Sequence, residues 1–463
     1  MVLEQIDGRR FTRRFEHRNL RGATVMVIGM ARTGQAITDF LLQQGARVIA
    51  ADTDHSKQGS LEERYKGQPV QFLLGPHQAT EKLDLIILSP GVPCTGDFFD
   101  WVETNHIPVL GELELASRFL KRPIIAVTGT NGKTTITGMI SHILVRSGYV
   151  GETAGNIGKP LASLVTEGRA ESPEPLVLEV SSFQLETIQY FRPRVAIICN
   201  LAPDHLDRYA TVQDYYETKS LISSNQTQED CLWIGPGVAE LCYPLTEAVI
   251  QHFGIGEHSE EGLYEIHDTV HQRIGDFIES MKIPWWKGTL IQTRLNAMAA
   301  VGAANSLGIP AFAGFNALQD YRPPRHRLEF IASVHDIACY NDSKATNVHA
   351  VCAALQSVPA PIFLIAGGRY KGDPLDPLVP LIREKVRHIY LLGESAIDFA
   401  HALSPFTEIT IVRNMQEAVQ RALTEQIGPA TLLLSPACAS WDMYQNYEQR
   451  GDDFAKAVRE VAG

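Results

Sequence analysis

The sequence predicts an α/β protein of three domains: an N-terminal Rossmann-like domain, a central mononucleotide-binding domain built on a phosphate loop (P-loop), and a C-terminal Rossmann-like domain. Three observations lead there. Short apolar runs alternate with helical segments along the whole chain, the pattern of parallel sheets covered by helices. At 463 residues the chain is too long for one ordinary core, and length suggests about three domains. Midway, Pro123 to Ile140 (PIIAVTGTNGKTTITGMI) passes from an apolar strand through a glycine-rich turn into a helical segment. The expected domains are residues 1–113, 114–323 and 324–463.

Composition narrows the class. The hydrophobic fraction of 44% and charged fraction of 20% are those of a soluble globular protein. Forty-one basic against 53 acidic residues leave a net charge of −12, which argues against general binding to nucleic acid or an anionic membrane. The leader MVLEQIDGRRFTRRFEHRNLRG is charged throughout, without the apolar centre of a signal peptide, and no later run is long enough to span a bilayer. A cytoplasmic protein is expected, with the basic leader a solvated tail. Seven cysteines are scattered singly, without the close pairs of zinc or redox motifs, so they are read as reduced and structural.

In the first domain, Ala23 to Ile28 reads as a buried strand, Gly29 to Gly34 (GMARTG) as a turn, Gln35 to Gln44 as a helix, and Arg47 to Ala51 as a strand running into Asp52 and Thr53. This is a βαβ nucleotide-binding unit, and Asp52 follows Gly34 by 18 residues (52 − 34), near where a ribose-binding carboxylate belongs. A dinucleotide-dependent dehydrogenase is one reading. Against it, Ala31 stands where the second glycine of the fingerprint allows close approach of a pyrophosphate. The strand Leu83 to Leu88 then ends in Ser89-Pro90-Gly91-Val92-Pro93, either a ligand loop at a strand's carboxyl end or a proline-stiffened turn. Gly111 to Arg122 reads as a linker.

The central domain opens on the phosphate loop, Gly129, Thr130, Asn131, Gly132, Lys133, Thr134 and Thr135. Glycines let the backbone approach a polyphosphate, the following helix presents its positive end, Lys133 neutralises charge, and the Thr134 hydroxyl can hold Mg²⁺. One departure is Val127, at the position where the common pattern carries its first glycine. Downstream, Leu176 to Val180 sets Glu179 inside an apolar strand, well placed for the nucleotide's Mg²⁺. Val195 to Cys199 discharges into Asn200 to Asp207 (NLAPDHLD), where His205 beside Asp204 is a candidate ligand or base. Lys219, on the helix Val212 to Ser224, reads by itself as a solvated charge. From Gln228 to Gly288 the pattern is weak. Asn296 starts the apolar helix NAMAAVGAANSLG, and Tyr321-Arg322-Pro323-Pro324 marks a hinge.

The last domain carries strands at Ile337 to Tyr340, Ile362 to Ala366, His388 to Leu392, Ile409 to Val412 and Thr431 to Leu434. Three ends are polar: Asn341 to Asn347 (NDSKATN), Gly367 to Gly372 (GGRYKG), and Ser435 to Asp442 (SPACASWD). They are expected to gather along one edge of a parallel sheet as a binding surface.

Taken together, TGTNGKTT, LEVSSFQLE, PDHLDRY, NDSKATN and SPACASWDMYQNYEQRGDDF occur in the order seen in the Mur ligases, which this chain resembles from Gly29 to Phe454. The last two motifs resemble the branch that adds D-glutamate. The resemblance implies ATP-driven amide formation: the carboxylate of UDP-N-acetylmuramoyl-L-alanine attacks the γ-phosphate, and D-glutamate's amine displaces phosphate from the resulting acyl phosphate. It implies ATP and two Mg²⁺ as cofactors, a role in cytoplasmic peptidoglycan synthesis and so in cell-wall growth, shape and division, and small-molecule substrates; no nucleic-acid partner, no membrane insertion and a monomer are expected.

Residue by residue, the resemblance implies that Lys133 clamps the β/γ-phosphates, Thr134 and Glu179 bind one Mg²⁺, and His205, with Asp204 beside it, serves the second. Lys219 falls where the family carries a carbamylated lysine, which reverses its reading as a solvated charge. Asn296 is expected at adenine, Asp342 at ribose, and Arg327 near the γ-phosphate with His326 adjacent. Ala31, Arg32, Thr33, Asp52, Thr53, Ser89, Gly91 and Asn156 would hold the UDP substrate. Lys344, Thr346, Lys371, Ser440 and Tyr447 correspond to D-glutamate contacts, and two lysines with hydroxyls suit a dicarboxylate. The sequence departs from the family pattern at Gln292-Thr293, Tyr370 and Arg325-His326-Arg327. Two rivals are a related enzyme, either a ligase for another amino acid or a folylpolyglutamate-type synthetase, and a non-catalytic nucleotide-dependent switch or scaffold that binds UDP-sugar.

Overall fold

The computed structural model describes residues 19–78, 82–206, 208–257, 259–287, 289–424 and 428–462. The leader up to residue 18 and Asp207 lie outside the described residues. The chain forms two compact units: the first comprises the chain to Leu201, His205–Pro284 and Leu295–Gln319, the second Ala202–Asp204, Trp285–Arg294 and Asp320 onward.

The first unit contains two sheets. One is all parallel, with β1 (Thr24–Ile28), β2 (Arg47–Asp52), β3 (Val70–Leu74), β4 (Leu85–Leu88) and β5 (Val109–Gly111) in the order β3-β2-β1-β4-β5. Strands β1 and β4 are buried on both faces, which is why they read as continuous apolar runs. The strand order reverses beside β1, and there Ser89 Oγ donates to Gly29 O at 2.7 Å. The helix begins at Arg32, earlier than expected, so Thr33 and Gly34 lie in its first turn.

The other sheet has β6 (Ile124–Thr128), β7 (Glu152–Gly155), β8 (Leu176–Glu179), β9 (Val195–Ile198), β10 (Cys231–Ile234), β11 (Val249–Ile255), β12 (Gly262–Ile266), β13 (Thr269–Ile274) and β14 (Phe277–Lys282). Their order is β14-β13-β12-β11-β10-β9-β6-β8-β7, antiparallel only at β12, β13 and β14. The weak pattern over Gln228 to Gly288 therefore hides five strands. The β14 edge is mostly exposed, so it lacks a clean apolar alternation.

The expected linker is a correction. Glu112–Ser117 is a helix whose Leu113, Leu115 and Ala116 are wholly buried in a core shared with Phe40 of the first sheet's layer and Leu161, Leu178 and Ile198 of the second's. Glu114 anchors it: its carboxylate accepts amides of Gln189, Tyr190 and Phe191 at 2.8–3.1 Å and pairs with Arg118 at 2.6 Å. Burying each leucine stabilises by about 1.5–3 kcal/mol, and the three amides satisfy a charge that burial alone would disfavour.

The second unit holds β15 (Glu329–Val334), β16 (Ile337–Asn341), β17 (Ile362–Ala366), β18 (Val386–Leu391), β19 (Glu408–Ile411) and β20 (Ala430–Leu434) in the order β15-β16-β20-β17-β18-β19. Only β15 is antiparallel, and the sequence reading missed it. Because β16, β20 and β17 are parallel neighbours, the three polar loops leave one edge together, as expected.

Candidate active site

In the first unit, β6 ends at Thr128 and Gly129 turns the chain at φ +141°. A Cβ there would lie 2.2 Å from Cys199 Sγ and 3.1 Å from Asn200 O, so only glycine fits. Gly132, at φ +87°, caps the helix Lys133–Arg146, whose first-turn N–H groups have no intrahelical acceptor. Lys133 Nζ donates to Gly129 O at 2.8 Å and Thr130 O at 3.0 Å. Lys219 is buried, not solvated: its Nζ donates to the same Gly129 O at 2.9 Å and lies 4.6 Å from the Tyr215 ring centre. Two lysines therefore converge on one loop carbonyl.

Beside them, Glu179 is 2% exposed, and its two oxygens accept from Thr134 Oγ1 at 2.7 Å and Asn156 Nδ2 at 2.8 Å. The two donors come from the segments that follow the flanking strands, Thr134 from the helix after β6 and Asn156 from the turn after β7. Strand β8 carries Glu179 between β6 and β7, with Gly155 paired opposite it; a Cβ at Gly155 would meet Glu179 O at 2.4 Å. The Thr134 hydroxyl and the Glu179 carboxylate are hard oxygen donors of the kind that Mg²⁺ takes. Among the described residues no three His, Cys, Asp or Glu side chains converge as a metal cage.

His205, at φ +56°, packs its ring 4.8 Å from Phe183 and 6.0 Å from Tyr215. Three residues on, Arg208 pairs with Glu186 at 2.6 Å, lies over Phe183, and donates to Val92 O at 3.3 Å. Tyr209 also donates to Glu186, at 2.7 Å. Sequence reasoning missed this pair, although both residues stand inside quoted motifs. A narrow cleft opens here, lined by Ser89, Pro90, Val92, Phe183, Glu186 and Arg208 among others.

At the first sheet's carboxyl edge, Asp52 accepts from Met30 N at 2.6 Å, Lys57 Nζ at 2.7 Å and Asp54 N at 3.0 Å. Burial alone would raise its carboxyl, but the Lys57 ammonium and those amides outweigh it and hold it below the usual range. Asp52 thus fixes the GMARTG turn. Ala31 is the cap of the helix after that turn, Arg32 donates to Gly158 O, and Thr53 and Gly91 are exposed nearby in sequence to Asp52 and Ser89.

In the second unit, Asp342 is buried at the end of β16 and its carboxyl is pushed up to about 7 by burial, against opposing contacts from Ser435 Oγ (3.0 Å), Leu328 N (3.2 Å) and the Arg327 charge. His326 is buried at φ +66° with Nδ1 3.0 Å from Asn341 Nδ2. Lys344 Nζ lies 3.9 Å from the Tyr447 ring centre, Ser440 is buried, and Lys371 is exposed. Asn347, which caps the helix Val348–Ser357, also donates to Asp204 at 2.9 Å. Arg450, another residue left unassigned by sequence, ties two loops: it donates to Ser343 Oγ and O and to Cys438 O at 2.8–3.0 Å. Asn296, which belongs to the first unit, is buried within the helix Ile291–Asn305, five residues after its start.

A phosphate loop backed by a buried carboxylate, on a sheet flanked in sequence by two further α/β sheets, defines a nucleotide-using enzyme of three α/β domains. Residues 23–111 match the Mur ligase MurD-like N-terminal domain, 127–307 the Mur ligase middle domain, and 326–438 the Mur ligase glutamate ligase domain. The chain belongs to the Mur ligase family. It is 37% identical over 443 residues to the UDP-N-acetylmuramoylalanine--D-glutamate ligase of Geotalea uraniireducens, covering 94% of this chain and 97% of that one. A relative with the same name from Geobacter metallireducens is 37% identical over 460 residues, covering 95% and 98%. Among solved structures, MurF from Acinetobacter baumannii aligns with a TM-score of 0.58 at 16% identity over 96% of this chain and 92% of that one, a likeness of fold. No described helix is long and apolar enough to cross a membrane.

Proposed function

We propose that this chain is the ATP-dependent ligase that adds D-glutamate to UDP-N-acetylmuramoyl-L-alanine (EC 6.3.2.9), a monomer acting in cytoplasmic peptidoglycan precursor synthesis. The observation that carries the reading is end-to-end identity of 37% to ligases of that name, joined to the intact cluster of Lys133, Thr134, Asn156, Glu179 and Lys219. The domain limits proposed are residues 1–113, 114–323 and 324–463.

The chemistry is a carboxylate oxygen attacking the γ-phosphorus while the bond to the β-phosphate oxygen breaks, giving an acyl phosphate and ADP. The amine of D-glutamate then attacks the carbonyl carbon, loses a proton, and phosphate leaves. Lys133 clamps the β/γ-phosphates, and the first-turn amides of its helix face them. Thr134 and Glu179 would hold one Mg²⁺, and His205 with a carbamylated Lys219 a second. When bound, Mg²⁺ would neutralise the charge that develops on the transferring phosphoryl group. Carbamylation would turn a cation into a carboxylate and leave Nζ a single hydrogen to donate to Gly129 O. Asn156 would orient the muramoyl-alanine end, with the GMARTG turn, Asp52-Thr53 and Ser89 to Gly91 at the UDP end. Asn296, Asp342, Arg327 and His326 would serve the nucleotide, and Lys344, Thr346, Lys371, Ser440 and Tyr447 the D-glutamate carboxylates.

The test is phosphate release from ATP with UDP-N-acetylmuramoyl-L-alanine and a panel of amino acids. Release that depends on D-glutamate is expected. If L-glutamate, L-lysine or glycine serves as well, the amino-acid assignment fails.

A further inference from the structure

We infer that Asn200 is the positioning residue of the phosphate loop: it locks the peptide units of Thr130 and Asn131 to the end of β9 and so fixes the shape in which the loop takes a nucleotide. The inference rests on the reading of that loop as the ATP site.

The pairing of β6 with β9 ends at Thr128↔Ile198, where Gly129 turns away. Asn200 prolongs it with a side chain. Asn131 N donates to Asn200 Oδ1 at 2.9 Å, Asn200 Nδ2 donates to Asn131 O at 2.9 Å, and Thr130 N donates to the Asn200 carbonyl at 3.0 Å. One carboxamide thus reproduces both bonds of a β-ladder residue. Aspartate would lack the donor and serine the second atom, so the side-chain chemistry is specific. Cys199 Sγ adds a contact to Asn131 O at 2.9 Å.

Two consequences follow. The amides of Thr130 and Asn131 are spent on the protein, so a phosphate must be met by the helix's first turn and by Lys133. The carbonyls of Gly129 and Thr130, on which Lys133 rests and to the first of which Lys219 donates, are held in place by the same lock. Asn200 also starts the run that reaches His205 five residues later, so the loop and that run share one anchor.

The test compares the full-length protein with Asn200→Asp and Asn200→Ala, using calorimetric titration with MgADP, steady-state kinetics, and amide hydrogen exchange at residues 130 and 131. Asn200→Asp sets an acceptor against Asn131 O, and losing one or two such bonds is expected to raise the MgADP Kd and the KM for ATP by about tenfold or more. The KM for D-glutamate is expected to stay within about twofold, a split that a general loss of structure would not give. Slow exchange at Thr130 and Asn131 is expected in the unsubstituted protein, and fast exchange there overturns the inference even if no variant folds. It is also overturned if both variants bind MgADP within about twofold of the parent. Failure of the parent to bind MgADP would instead remove the ATP-site reading on which it rests.

Discussion

Thr134→Val probes the centre of the site with the smallest change. Both side chains are β-branched, so the helix Lys133–Arg146 keeps its propensity, and the shape is retained. What disappears is the hydroxyl that donates to Glu179 Oε2 at 2.7 Å, while Asn156 still holds the other oxygen. A hydrogen bond to a buried charged group is worth about 1.5–3 kcal/mol, and a methyl group now faces the carboxylate. If that loss is expressed in the transition state, kcat/KM for ATP falls by about 10–100-fold, since about 1.36 kcal/mol corresponds to a factor of ten. The assay is coupled ADP release at saturating D-glutamate and nucleotide-sugar. A variant within about threefold of the parent would refute the argument that the Thr134–Glu179 pair is part of the reaction centre.

Three further outcomes are expected. Lys219→Ala is expected to lose most activity without rescue by added bicarbonate; a fully active variant would remove the carbamate proposal. Gly129→Ala is expected to lose nucleotide binding, because its Cβ would sit 2.2 Å from Cys199 Sγ at φ +141°, and unchanged MgADP titration would contradict this. Glu112 is fully buried, accepts from Ala162 N at 2.6 Å, and is pushed up to about 7 by burial against the ordinary 4.5. A raised folded-state value means that its stabilising share is complete below the unfolded pKa and is lost as pH rises through about 7. Glu112→Gln is therefore expected to flatten the decline in thermal stability between pH 5 and about pH 8. Parallel pH profiles for the two proteins would contradict it.

The fold was largely legible because its working strands are buried on both faces: Val25 to Ile28, Ile125 to Val127 and Leu432 to Leu434 are apolar runs that tolerate few other readings. Their polar ends were legible for the same reason, since parallel neighbours must discharge on one edge. Lys219 was not: a lysine on a helix looks solvated until β6 is known to bring Gly129 O beneath it, and only the family resemblance reversed that reading. The helix Glu112–Ser117 was hidden by its two glutamates, which look exposed in sequence yet are satisfied by the amides of distant segments. Asn200 and Arg450 carry no local signal, because their partners are atoms of other loops, most of them backbone. Strands β10 to β15 went unread, most of them where edges and hairpins dilute the apolar pattern.

The measurement that reaches the central claim most directly is oxygen transfer. UDP-N-acetylmuramoyl-L-alanine labelled with ¹⁸O in its carboxylate is incubated with ATP, Mg²⁺ and D-glutamate, and the released phosphate is analysed by mass spectrometry. Ligation through an acyl phosphate places one labelled oxygen in each phosphate, in step with amide formed. Unlabelled phosphate accompanying amide product would contradict it.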